Sequence, residues 1–139
     1  MMHWGARYLG LPHRDLGRDI TGADCWGLLR LVYAAELGVD LPSYAGAYHS
    51  AAEAAEIAVL IDGAKDWAEW QPVTAEPVPF DAALFRRGPH RSHVGVIVRP
   101  GLMLHMAETG ARIEDYRLPR WSGRLTGLYR HVSQIRSPA

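Results

Sequence analysis

The chain has a single cysteine, Cys25, which directly follows Asp24 and precedes an apolar run at helical spacing. Asp24 sits where a helix N-cap belongs, which places Cys25 in the first turn. A helix start offers free N–H groups and the positive end of the helix dipole. Both favour a thiolate over a thiol, and the same N–H groups suit the oxyanion of an acyl-transfer intermediate. A lone cysteine is more often a small buried hydrophobe, so Cys25 needs partners to read as a nucleophile. Two histidines supply them. His93 opens the run His93-Val94-Gly95-Val96-Ile97-Val98. Strand alternation puts His93, Gly95 and Ile97 on one face and the three valines on the other. A histidine at a strand start that faces a helix terminus can act as a general base. His105 lies in Leu102–Ala107, sharing a face with Met103 and Ala107. If this strand pairs with the one before it, His105 stands beside His93 and can orient its ring, as the third member of a triad does. Taken singly, His93 reads as an edge histidine and His105 as a core histidine bonded to a backbone carbonyl.

The remaining histidines carry less. His3, His49 and His131 lie near termini or loop edges, and His90 stands three residues before His93 across a turn. No cysteine or carboxylate accompanies that pair at ligand spacing, so no metal and no cofactor are expected.

Helices come first and strands second. Trp4 to Leu9 reads as a short helix and Arg14 to Gly22 as a loop. Asp24 to Leu37 reads as a helix, with Leu28, Leu29, Val32 and Tyr33 on one face and Gly38 as the stop. Leu41 to Tyr48 reads as a loop. Ser50 and Glu53 form a capping-box pattern for a second helix, whose face runs through Ala54, Ile57, Leu60, Ile61 and Ala64 and continues in Trp67 and Trp70. Gln71 to Phe80 is proline-rich and extended. Five apolar-rich runs follow: Ala82–Arg87, His93–Arg99, Leu102–Glu108, Arg112–Tyr116 and Leu125–Val132. They read as an antiparallel sheet, which makes the expected class α+β, in one domain over 1–139.

Composition narrows the function classes. One cysteine excludes an internal disulfide framework and multi-cysteine zinc cages. The 139 residues suffice to bury roughly 68% of the unfolded surface. Fifteen basic and fifteen acidic side chains cancel, which argues against a nucleic-acid partner held by bulk charge. The charge is segregated, however. Residues 1–76 carry five basic and eleven acidic groups, and residues 77–139 carry ten arginines and four acids. Either the halves attract each other, or the basic half faces an anionic partner such as a cell-wall polymer or an assembly subunit. The amino terminus lacks a basic segment followed by an apolar core, and no apolar run approaches the ~20 residues of a membrane span. The expectation is a soluble product without a signal peptide.

Together these segments resemble the NlpC-type papain-like cysteine peptidases, which cut bacterial cell-wall peptides. Gly22-Ala23-Asp24-Cys25-Trp26-Gly27-Leu28 resembles the family's Asp-Cys-(Ser or Trp)-Gly-Leu nucleophile motif. Pro79-Phe80-Asp81-Ala82 resembles its Pro-Gly-Asp-Leu strand start, and Ser92-His93-Val94-Gly95-Val96-Ile97 its histidine strand. Leu104-His105 resembles the strand of the third polar residue. The resemblance covers roughly residues 4–132. It implies Cys25 as nucleophile, His93 as base and His105 as orienting residue, with Asp24 and Ser92 near the substrate. It also implies a papain-like fold, with amino-terminal helices packed on a roughly five-stranded antiparallel sheet. Many family members place a tyrosine after a Gly-x-Pro lead-in, with its hydroxyl toward the cysteine. Here that place is His13, so His13 or Tyr8 supplies the donor, or the pocket differs.

The subtype signal is similar to the phage-tail and gene-transfer-agent branch: Trp26, the Gly10-Leu11-Pro12 lead-in and the closing run Trp121–His131. That implies a peptidoglycan stem peptide as substrate, by analogy at the γ-D-glutamyl–meso-diaminopimelate bond. It also implies tail-tip or hub proteins as partners. The protein would be made in the bacterial cytoplasm and carried by the particle to the periplasmic cell wall. Two alternatives remain: a structural tail-tip subunit that keeps the fold without catalysis, and an amidase or acyltransferase using the same three residues.

Overall fold

Asp24 starts the first helix by capping it: its Oδ1 accepts from the Gly27 N–H at 2.8 Å, and its carbonyl accepts from Leu28 at 2.9 Å. Helix α1 spans Cys25–Val32 and then widens into one π-helical turn, Tyr33–Leu37. Gly38 ends it in the left-handed conformation that glycine adopts without strain (φ 66°). The computed structural model describes residues 3–14, 17–41, 70–87 and 90–135. The second helix expected from Ser50 to Ala64 lies outside the described residues, as does 42–48 of the expected loop.

Before α1, Trp4–Tyr8 forms a 3-10 helix, and two short strands, β1 (Arg18–Asp19) and β2 (Gly22–Ala23), pair as a hairpin within the expected loop. After it come β3 (Trp70–Pro72), β4 (Ala82–Arg87), β5 (His90–Arg99), β6 (Leu102–Ala107) and β7 (Gly110–Asp115). A four-residue helix, α2 (Pro119–Ser122), precedes β8 (Leu125–His131). Strands β3 to β8 form one antiparallel sheet in the order β3-β8-β4-β5-β6-β7. The sheet therefore has six strands rather than five. The added strand is β3, whose Trp70 pairs with His131 rather than continuing a helix. Pro72 is tolerated because β3 is an edge strand.

The alternation read from the sequence sorts the two faces. Val94, Val96, Val98, Leu104 and Met106 join Trp26, Leu28, Leu29 and Val32 of α1 in the larger core. Ile97, Met103, Ala83 and Phe85 join Trp121 and Tyr116 in a second cluster. Asp81, fully buried just before β4, is held by Arg130 of β8 through two bonds of 2.9 Å and accepts from the Val78 N–H. Asp81–Arg130 and Glu114–Arg120 pair within the basic half, while Arg7–Glu36 and Arg30–Asp40 pair within the acidic half. These ion pairs do not join the halves. Among the described residues no helix is long and apolar enough to cross a membrane.

Candidate active site

Cys25 is the first residue of α1 and is half-buried. The amides of Cys25 and Trp26 head the helix, ahead of the two that Asp24 satisfies. Helix α1 packs on β5 and β6, the pair of strands that carries both histidines.

The histidines meet. Gly95 pairs directly with His105 across β5 and β6, and His93 pairs with Phe85 of β4. His93 Nε2 lies 2.9 Å from His105 Nδ1, and each residue is 2% exposed. Gly95 makes the approach possible, since a Cβ there would meet the Met103 sulfur at 2.7 Å. The β5–β6 ladder runs from Arg99 and Leu102 to Gly95 and His105. Beyond it the described pairings take His93 to β4, and Met106 and Ala107 to β7.

Three residues outside the expected set complete this arrangement. His105 Nε2 lies 2.6 Å from Glu114 Oε2. That oxygen also accepts from the Trp121 indole N–H at 3.0 Å, and Glu114 Oε1 pairs with Arg120 at 3.1 Å. The Trp121 ring stacks on His93 and meets His105 edge-on. Glu114 follows from strand geometry once the hairpin register is known: it pairs with Met103, and cross-strand partners share a face, so it lies on the His105 side. Trp121 carries no comparable sequence signal.

Burial pushes the His105 imidazole below its ordinary value, outweighing the Glu114 carboxylate; Arg112 and Arg120 act in the same direction as burial. Burial pulls Glu114 upward, yet hydrogen bonds from His105 and Trp121 and the charge of Arg120 hold its carboxyl below the usual range. The His105–Glu114 contact is thus a hydrogen bond from a neutral imidazole to a carboxylate.

The other sequence candidates are placed as follows. Asp24 is buried and caps α1. Tyr8 is buried, and its hydroxyl donates to Glu36 Oε2 at 2.7 Å, which commits that hydroxyl to the π-helical turn. His13 is exposed, and its backbone bridges in parallel to Ala23, two residues before Cys25. Ser92 lies in β5 just before His93, with its side chain outside the described residues. Among the described residues no group of three His, Cys, Asp or Glu is arranged to hold a metal ion. A cleft of about 420 Å³ opens beside His105, lined in part by Arg112, Arg120 and Arg124.

A helix headed by a cysteine and packed on an antiparallel sheet that carries two paired histidines is the layout of a papain-like fold. The NlpC/P60 family profile matches residues 10–130, and the chain belongs to that family. An NLP/P60-family protein from Staphylococcus aureus, described as similar to lipoprotein, superposes with a TM-score of 0.65 at 22% identity, over 91% of this chain and 38% of its own. The NlpC/p60 domain of the peptidoglycan hydrolase SagA gives 0.60 at 18% identity, over 91% and 92%. NlpC1 from Trichomonas vaginalis gives 0.65 at 17%, over 91% and 41%. The chain thus spans about two fifths of the staphylococcal and Trichomonas chains. A sequence comparison with curated proteins gives no match.

Proposed function

We propose that this chain is a cysteine peptidase that hydrolyses peptidoglycan stem peptides, with Cys25 as nucleophile, His93 as base and His105 as orienting residue. The observation that carries the reading is the 2.9 Å bond between His93 Nε2 and His105 Nδ1, on the two strands against which the Cys25 helix packs. It engages His93 Nε2, and in the proposed mechanism Nδ1 is the atom that takes the thiol proton. His93 takes the Cys25 proton, and the thiolate attacks the peptide carbonyl. The oxyanion faces the helix-start amides, and the leaving amine takes its proton from the imidazolium. Water then releases the acyl group by the same base.

Membership in the NlpC/P60 family supports the substrate class. The arginine-lined cleft beside His105 suits a peptide rich in carboxylates. Within the class, the proposed bond is γ-D-glutamyl to meso-diaminopimelate. The resemblance assigns Asp24, which also caps α1, to the substrate's free amine, Ser92 to a place near the substrate, and His13 to the place of the family tyrosine. The commitment of Tyr8 to Glu36 and the bridge from His13 to Ala23 support that choice. The resemblance of Trp26, Gly10-Leu11-Pro12 and Trp121–His131 to tail-associated peptidases supports a place in a phage or gene-transfer-agent tail. Its neighbours there would be tail-tip or hub proteins, and it would act at the periplasmic cell wall.

The test is purified protein and its Cys25→Ala variant on defined muropeptides, with products identified by mass. Release of the diaminopimelate-side peptide by the wild type alone is the expected result. Equal turnover by both proteins would overturn the assignment.

A further inference from the structure

The polar chain does not end at the second histidine. We propose that Glu114 is a positioning residue for the thiol chemistry: it fixes the tautomer of His105 and, through His105, which nitrogen of His93 is left bare for Cys25. The proposal rests on the Cys25–His93 reading above.

The argument is a count of protons along measured contacts. Glu114 receives a hydrogen bond from Trp121 and pairs with Arg120, and an ionised carboxylate only accepts. The nitrogen facing it at 2.6 Å, His105 Nε2, must therefore carry the hydrogen. A neutral imidazole has one N–H, so His105 Nδ1 presents its lone pair. His93 Nε2 lies 2.9 Å from that lone pair and must donate to it. His93 is then protonated on Nε2 and bare on Nδ1, the state a base requires.

Without the carboxylate this polarity is not enforced. His105 could carry its hydrogen on Nδ1 and donate to His93 Nε2. The His93 proton would then sit on Nδ1, and the base would be blocked. Glu114 also bears on the charged state. When Cys25 gives its proton to His93 Nδ1, sulfur keeps the S–H electron pair and His93 gains a positive charge with both nitrogens protonated. Glu114 is the carboxylate at the far end of the hydrogen-bonded chain from that charge. The groups facing His105 are His93 from β5, Glu114 and Arg112 from β7, and Arg120 from α2. Burial keeps His105 neutral among them, as the chain of donors requires.

The test uses the full chain without substrate. Nitrogen-15 NMR of the histidine rings should show His105 protonated on Nε2 and bare on Nδ1 in the wild type. In Glu114→Gln, whose amide can donate or accept, the two tautomers should mix. Alkylation of Cys25 by iodoacetamide, followed against pH, should then slow at neutral pH by about tenfold, the lower end of what losing an outer hydrogen-bond partner costs at metal-bound histidines. Its midpoint should move upward, and Glu114→Asp should recover part of the loss. A wild type with the hydrogen on His105 Nδ1 overturns the proposal, even if Glu114→Gln fails to fold. So does a folded Glu114→Gln with unchanged tautomers and an unchanged alkylation profile. The peptidase reading fails separately: a wild type with the expected tautomers that leaves muropeptides intact overturns that reading alone.

Discussion

The indole of Trp121 lies against the imidazole of His93, ring centroids 5.4 Å apart and planes 19° from parallel. The same indole meets His105 edge-on at 4.9 Å and Phe85 at 5.1 Å, and its N–H reaches Glu114. One side chain thus backs both rings and also holds the carboxylate behind them. Substitution can separate these roles. Trp121→Ala removes the wall and is expected to destabilise the protein by about 3–5 kcal/mol. Trp121→Phe keeps an aromatic wall and deletes the donor, so about 1–2 kcal/mol is expected, with slower Cys25 alkylation. Urea unfolding of both variants checks the ranking. Equal losses would show that the wall and the donor do not act separately.

Gly95 is the contact that lets the two histidine strands close up. A Cβ at this position would meet the Met103 sulfur at 2.7 Å and lie 3.5 Å from the His105 Cβ. Met103 is fully buried, so its thioether cannot swing into solvent. Gly95→Ala should therefore destabilise by about 1–2 kcal/mol through overpacking and lower turnover by shifting His105. Removing the obstacle should relieve part of this. In the Gly95→Ala, Met103→Ala double variant the losses should fall short of additive by about 1 kcal/mol. Additive losses in denaturant titrations would contradict the contact.

Much of this site is legible in the sequence, for physical reasons. The cap of Asp24 is local, so α1 and the place of Cys25 follow from adjacent residues. The alternation in His93–Val98 is also local, and the valines and Ile97 do divide between the two cores. What is not legible depends on register. The loop expected between β6 and β7 is longer than the turn that forms, where Ala107 pairs with Gly110. That shift conceals Glu114, because only the tight hairpin sets it opposite Met103 and diagonal to His105. Trp70 misleads in another way. Its spacing of three from Trp67 suits a helix, while its partners Tyr33 and His131 are distant in sequence and draw it into an edge strand.

Stability should fall as the solution is acidified below neutrality. The folded-state values of His105 and Glu114 both lie below their ordinary ones. Between the folded and unfolded values the unfolded chain binds more protons, so unfolding becomes easier as pH drops. His105 contributes no penalty above about 6.5, its unfolded value, and a growing one below it until the folded value is reached. Glu114 stabilises fully above about 4.5, its ordinary value, and that contribution is lost as pH falls through its folded value. Urea midpoints measured from about pH 8 to about pH 2.5 should decline in these two windows. His105→Gln should flatten the upper limb and Glu114→Gln the lower one. A wild-type midpoint constant from about pH 7 to about pH 4.5 would contradict the His105 assignment, and one constant from about pH 4.5 to about pH 2.5 the Glu114 assignment.

Phe80 occupies a backbone state suited to glycine. Pro79 and Phe80 are the central residues of a turn closed by the Asp81 N–H on the Val78 carbonyl at 3.1 Å, and Phe80 has φ 77°. A positive φ at this position, after proline, marks a type II turn, where a side chain costs about 1 kcal/mol. The NlpC-type pattern resembled by Pro79-Phe80-Asp81 has glycine there. The ring is retained because it stacks on Trp4 at 4.6 Å and 23°, while the Phe80 amide and carbonyl bond to Ile97 and to the Tyr33 hydroxyl. Phe80→Ala should lose the stack and keep the strain, whereas Phe80→Gly should lose both. The glycine variant is therefore expected to be more stable than the alanine variant by about 1 kcal/mol, the reverse of the usual order. Denaturant unfolding of the pair, repeated in a Trp4→Ala background where the stack is already gone, isolates the backbone contribution. If alanine proves the more stable in both backgrounds, the turn does not hold Phe80 at positive φ in solution.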